Sequence, residues 1–271
     1  MDIGDCREMG KELYERLHLA SYPVAIKYVG DEAEFGEGMV RPSAAGQKWS
    51  LCQAFTYARR WGTTSCMGQE DNFCVPATVW HRWAYVPWEE FIQSQLRQGW
   101  HRDEEAERRR CEYGLRMLGE ENVERAAQYV GFIVSPLPFT AVVPDSVLVY
   151  GNAENITHVI HALSYGGEHF PTSYFEGFGE SCMKGGLAPF LTGVPQVVIP
   201  GMGDRAFSGT YDYEIAIGFP GTLLPEVVES LFKTGGRLNM GQPVRTLLPT
   251  GITESITPGF RYLRKKIEER G

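Results

Sequence analysis

Pro23-Val24-Ala25-Ile26-Lys27-Tyr28-Val29-Gly30 decides the reading of this chain. Val24 to Val29 is rich in β-branched and aromatic residues. A proline that cannot continue a helix opens it and a glycine closes it, which is the pattern of a strand. Before it, Ile3 to Leu19 sets Ile3, Cys6, Met9, Leu13 and Leu17 on one helical face, with Cys6 as a small member of the apolar stripe. After it, a glycine-rich stretch over 30–46 leads into a helix over Leu51 to Arg60, stopped by Gly62. Helix, strand and helix in succession indicate an α/β protein, with α+β as its variant.

The same order returns further along. Ser146 to Tyr150 reads as a strand stopped by Gly151, and Ile156 to Tyr165 as a helix closed by Gly166-Gly167. Gln196 to Ile199 is a second strand, and Tyr211 to Phe219 alternates as a third. Pro225 to Lys233 and Gly259 to Arg270 are closing helices, and Trp88 to Tyr129 is helical and charged, an insertion over about 88–130. Each half also carries a Ser-Cys-Met triplet, Ser65-Cys66-Met67-Gly68 and Ser181-Cys182-Met183-Lys184-Gly185. The expectation is two similar strand–helix halves, residues 1–135 and 136–271, related by a pseudo-twofold duplication about a mixed sheet. Cys66 and Cys182 would then sit in matched loops facing one another.

Composition narrows the function. The formal net charge of −8 repels polyphosphate, which argues against nucleic-acid binding. The basic runs Arg108-Arg109-Arg110 and Arg261 to Lys266 lie among glutamates and read as salt-bridged helix faces. Met1-Asp2-Ile3-Gly4-Asp5 is acidic where a secretory leader is basic, and no apolar run reaches the length of a membrane span. A cytoplasmic protein without membrane insertion is expected.

The cysteines carry the chemistry. Six are present, with no Cys-x-x-Cys, so zinc-ribbon and thioredoxin patterns are missing. Cys52, Cys66, Cys74 and Cys182 form a candidate set for a [4Fe–4S] cluster. Three come from a Gly-, Ser- and Thr-rich stretch and the fourth from the other half, with aromatic side chains nearby to exclude water. Their spacing matches no compact ferredoxin pattern. Zinc is the second option, with His81 or His169 in place of one thiolate. Unligated, partly buried thiols are the plain alternative, and Cys111 has no assigned role. Lys27, a charge inside an apolar strand, and Arg205, in the turn Gly201-Met202-Gly203-Asp204-Arg205, are candidate holders of an acidic small molecule. A third reading makes Cys66 or Cys182 an enzyme nucleophile beside a histidine. No Gly-x-Gly-x-x-Gly, phosphate-loop or His-Glu-x-x-His motif occurs.

Pro23 to Tyr28, Cys52-Gln53 with Ala58-Arg59, and Cys66-Met67-Gly68 resemble the uncharacterised ArCR family, domain of unknown function 169, over about Leu13 to Leu231. The resemblance implies a cytoplasmic protein of anaerobic-type metabolism and favours a thiolate-bound iron–sulfur centre. On this reading the chain is a redox or electron-transfer protein, or a subunit of a low-potential reductase. A redox partner subunit or a second copy of the chain is its expected company.

Overall fold

The computed structural model describes residues 1–234 and 258–270; the remaining part of the second half, 235–257 and 271, lies outside the described residues. The protein is α/β, built on one sheet. Its strands are β1 (Val24–Val29), β2 (Ser65–Gly68), β3 (Gly131–Pro136), β4 (Ser146–Gly151), β5 (Gln196–Val198) and β6 (Ile215–Pro220), in the order β2-β3-β1-β4-β6-β5. Every pairing between these strands is antiparallel, where a mixed sheet was expected. The connections return each strand beside a neighbour running the opposite way, so no pair needs a parallel crossover.

The helices are α1 (Ile3–Arg16), α2 (Leu51–Trp61), α3 (Val75–Trp80), α4 (Trp88–Leu96), α5 (Glu104–Leu118), α6 (Glu120–Ala126), α7 (Ala153–Ser164), α8 (Ala188–Thr192), α9 (Met202–Ser208), α10 (Leu224–Ser230) and α11 (Pro258–Glu268). A π-helical segment, Glu180–Leu187, leads directly into α8. Among the described residues no helix is long and apolar enough to cross a membrane.

Strand alternation assigns the core to two layers. Ala25, Val147, Val149, Ile217 and Phe219 face α1, α7 and α10, where Cys6, Leu13, Val159, Leu163 and Val227 complete a cluster. Ile26, Tyr28, Phe132, Val134, Leu148 and Tyr150 face the other way, onto Leu51, Ala54, Phe55 and Ala58 of α2 and onto Leu187 and Leu191. Cys6 thus takes the expected core role. The charged insertion, α4 to α6 with α3, packs Trp80, Phe91, Ile92, Cys111 and Leu118 against Met183 and Ala188 of the π segment and α8, while Ala77 and Ala126 reach the sheet.

Two expectations need correction. The strand read as starting at Tyr211 begins at Ile215; Tyr211 and Tyr213 are exposed and stack on each other, ring centroids 5.5 Å apart. Their alternation came from a turn held by Glu214, whose carboxylate accepts from Tyr211 N at 2.7 Å. The Ser-Cys-Met triplets are not matched loops: Cys66 is on edge strand β2 and Cys182 in the π segment, so the triplets do not show a duplication.

Candidate functional site

Cys52, Cys74 and Cys182 line one cavity of about 340 Å³, together with Asp204 and Glu180. Each cysteine sits in the first turn of a helix or at its cap, and each turn is held by its own local chemistry. At α2, Ser50 Oγ accepts from Gln53 N and Gln53 Oε1 accepts from Ser50 N, a reciprocal cap that fixes the turn carrying Cys52. The Cys52 thiol lies 3.0 Å from Ser50 Oγ and donates to Gly203 O at 3.5 Å, which ties α2 to the start of α9. Cys74 caps α3; its N–H donates to Asn72 Oδ1 at 3.0 Å, and Asn72 Nδ2 donates back to Cys74 O at 2.9 Å.

Cys182 owes its place to the π segment. Gly179 adopts a left-handed φ of 57°, and both Met183 N and Lys184 N donate to its carbonyl, the second bond spanning five residues. The widened turn presses Gly185 onto the sheet. A Cβ added at Gly218 of β6 would lie 1.8 Å from Gly185 O, so the backbone of the segment rests on bare strand. Sheet residues with side chains would hold the segment, and Cys182 with it, away from the cavity.

Burial raises all three thiols above their ordinary range. For Cys182 the nearby Cys74 and Cys52 thiols and the Asp204 carboxylate add to the rise; for Cys52, Asp204 and Cys74 do. Asp204 is itself raised by burial, partly offset by its neighbour Ser181. Its Oδ2 accepts from Gly201 N at 3.0 Å, and the hydroxyl and backbone N–H of Ser181 also hydrogen-bond the carboxylate. Glu180 Oε1 accepts from Lys184 Nζ at 2.7 Å and from the Glu176 and Gly177 amides, leaving Oε2 without a partner. Behind the cavity, Lys184 and Arg110 flank Glu176 at 3.4 and 3.7 Å, Arg110 pairs with Glu107 at 2.6 Å, and His101 reaches the other Glu107 oxygen at 2.7 Å. The one guanidinium in the cavity wall, Arg110, is therefore already engaged.

This buried charge chain and Asp204 escaped the sequence reading. The signal available was Glu180 and Lys184 four residues apart beside a glycine pair, and such spacing marks exposed helix faces far more often than buried ones.

Other candidates lie elsewhere. Cys66 packs with Val29 and Ile133 on the sheet face opposite Met67, so the thickness of the sheet separates it from the three cavity thiols. Lys27 shares that far face by alternation and pairs with Asp145 at 2.9 Å. Arg205 pairs with Asp212 at 2.6 Å, outside the cavity wall. His81 is buried among Tyr28, Trp83 and Phe132, its Nδ1 2.9 Å from Ala77 O, and burial lowers its pKa to about 4. His169 stands 3.6 Å from Glu226. Neither histidine lines the cavity. Cys111 is buried in α5 between Arg110 and Glu107, with its pKa raised to about 12, first by burial.

A thiol nucleophile needs a lowered pKa and a base; the cavity thiols are all raised and no histidine lines their cavity. Among the described residues, no three His, Cys, Asp or Glu side chains stand as a single-ion site would need. Three soft thiols are a donor type that iron–sulfur clusters and zinc both accept.

The family model of the uncharacterised ArCR proteins matches residues 12–230. An uncharacterized protein of Methanocaldococcus jannaschii is 23% identical over 234 residues, covering 85% of this chain and 95% of the relative. No solved structure matches the chain. The matched residues include the six described strands and the three cavity cysteines, and the chain belongs to the uncharacterised ArCR family, the domain of unknown function 169.

Proposed function

We propose that this chain is a redox protein whose iron–sulfur centre is held by Cys52, Cys74 and Cys182. The observation that supports this reading is their convergence from three separate helix starts on one cavity. Burial and mutual proximity oppose three thiolates in that space; bound iron supplies the positive charge that makes them stable. Such a centre would supply one-electron transfer, and the chain's own part is to hold the thiols, keep water out and set the surrounding charge. Trp80 is buried in the wall, and aromatic exclusion of water is one lever on a cluster's potential. With Cys66 on the far face, the chain provides three thiolates rather than four, which leaves one corner of a cubane for another ligand.

The cavity mouth carries exposed apolar side chains, Phe73, Val75, Met202 and Phe207. That rim is where an electron donor, acceptor or partner subunit would approach. The test is anaerobic purification with the visible spectrum and the iron, sulfide and zinc content of the wild type and of four single Cys→Ser variants. Loss of iron in the Cys52, Cys74 and Cys182 variants, with retention in Cys66→Ser, is the expected pattern. A wild-type protein free of iron, or equal retention in all four variants, would sink the reading.

A further inference from the structure

Beside the thiols, the cavity has a wall of different chemistry. Trp80 of α3, Gln95 of α4 and Trp100, just beyond α4, line it together with Val75 and Phe207. Trp80 is buried, whereas Trp100 is 40% exposed and braced against Phe178, with 5.2 Å between ring centroids. Aromatic and branched side chains of this kind take up a flat, apolar body. A volume of about 340 Å³ lies within the range of small-molecule sites.

The charged groups of the wall are engaged or enclosed. Arg110 pairs with Glu107 at 2.6 Å and lies on Phe178, 5.2 Å from the ring centroid. Gly201 and Ser181 hold the Asp204 carboxylate, and Lys184 and two amides hold that of Glu180. The remaining oxygen of each is sealed within the protein. An ionised ligand would give up its hydration here without meeting a counter-charge, a cost that a neutral one avoids.

One neutral polar group is still open. Gln95 is only 5% exposed, and its Nε2 donates to Ser94 Oγ over a long 3.4 Å. Its Oε1 accepts no hydrogen bond from any described residue, and it is not among the buried oxygens that protein encloses completely. Because the rest of the side chain is covered and the cavity lies beside it, that oxygen opens on the cavity. A carboxamide oxygen is an acceptor, so what it lacks is a donor.

We infer that the cavity binds a small neutral aromatic molecule bearing one hydrogen-bond donor, of the indole or phenol kind. Its ring lies against Trp100, and its N–H or O–H donates to Gln95 Oε1. This goes beyond the redox reading and does not rest on it, since neither Gln95 nor Trp100 is a proposed iron ligand.

The experiment is calorimetric titration of the anaerobically purified chain with four probes of one shape: indole, 1-methylindole, indole-3-acetate and tryptamine. Iron content is recorded on the same sample, so a failed cluster and a failed ligand site are read separately. Saturable binding of indole is expected, about fivefold or more tighter than 1-methylindole, which lacks the donor. The two charged probes should bind more weakly than indole. Gln95→Met keeps the bulk of the side chain and removes the acceptor, so it should abolish the preference for indole over 1-methylindole. Trp100→Ala should weaken both neutral probes alike. The four-probe comparison on the wild type decides the matter even if Gln95→Met does not fold. Equal affinity for indole and 1-methylindole, tighter binding of either charged probe, or no indole binding up to millimolar concentration would overturn the inference, as would a preference that survives in Gln95→Met.

Discussion

The two halves of the sheet invite comparison. In one, β3 lies between β1 and edge strand β2; in the other, β6 lies between β4 and edge strand β5, and β1 and β4 join the halves at the centre. Before each edge strand comes a helix on the same sheet face, α2 in one half and the π segment with α8 in the other, each ended by a left-handed glycine three residues ahead of the strand, Gly62 and Gly193. After β3 and after β6 the chain enters a short 3-10 turn from a proline, Pro136 or Pro220. The counterpart of Cys182 in this order is Cys52, near the start of α2, and not Cys66. The halves differ where the site is made. α2 is regular, opened by a side-chain cap and packed through Phe55 and Ala58. Its counterpart is widened, glycine-bearing and pressed on bare strand, with Glu180 and Lys184 buried inside it. One half is built for packing; the other trades packing regularity for a cavity wall carrying charge.

That comparison can be broken experimentally. The largest effect is expected at the tie between the halves, Arg59 of α2 with Glu214 ahead of β6. The pair is buried, at 2.5 Å, with Arg59 also stacked on the Tyr150 ring at 4.2 Å. Glu214→Gln leaves a buried guanidinium without its counter-charge and should cost about 3–5 kcal/mol in urea unfolding. An effect near zero would mean that the sheet and the other contacts between the halves make this pair dispensable.

Next comes the contact that makes the π segment possible. Gly218→Ala puts a methyl where Gly185 O stands, and it should destabilise by about 3 kcal/mol or more. Loss of iron together with stability would tie segment and site into one unit. A neutral substitution would show that the segment can lift from the sheet.

The third concerns acid. Burial lowers His81 to about 4 from an ordinary 6.5, so between those values the unfolded chain binds the proton and the folded one resists it. Stability should therefore fall as pH drops from about 6.5 to about 4, by about 3 kcal/mol from this residue. His81→Phe should flatten that part of the curve, measured by denaturant unfolding at stepped pH. The smallest effect is expected at Lys27: Lys27→Met removes a partly exposed pair with Asp145, costs under about 1 kcal/mol and leaves iron content unchanged, because it lies on the other sheet face.

Much of the fold was legible. Val24 to Val29, Ser146 to Tyr150 and Gln196 to Val198 announce themselves by β-branched runs cut by glycine and proline, and α1, α2 and α7 by helical periodicity with capping residues. These are local signals, settled by backbone conformation and by neighbours within a turn. Strand β3, Gly131 to Pro136, was not singled out, and as a central strand buried on both faces its apolar run has no period to read.

The site was legible only in part. Residue type alone pointed to Cys52, Cys74 and Cys182, because soft thiols among glycine, serine and threonine are the material of thiolate centres. It equally pointed to Cys66, one residue away from facing the same space as Met67. In a strand that single step decides which side of the sheet a thiol occupies, and the pairing register of β2 on β3 sets it. Amino-acid order by itself determined most of the elements, the soft-donor inventory and the charge balance, which are sums over local chemistry. Tertiary structure alone decided which thiols meet, that Asp204 and Glu180 join them, and that Lys27 and Arg205 do not. Those outcomes depend on strand register and on a backbone contact, Gly218 against Gly185, between residues 33 positions apart in the chain.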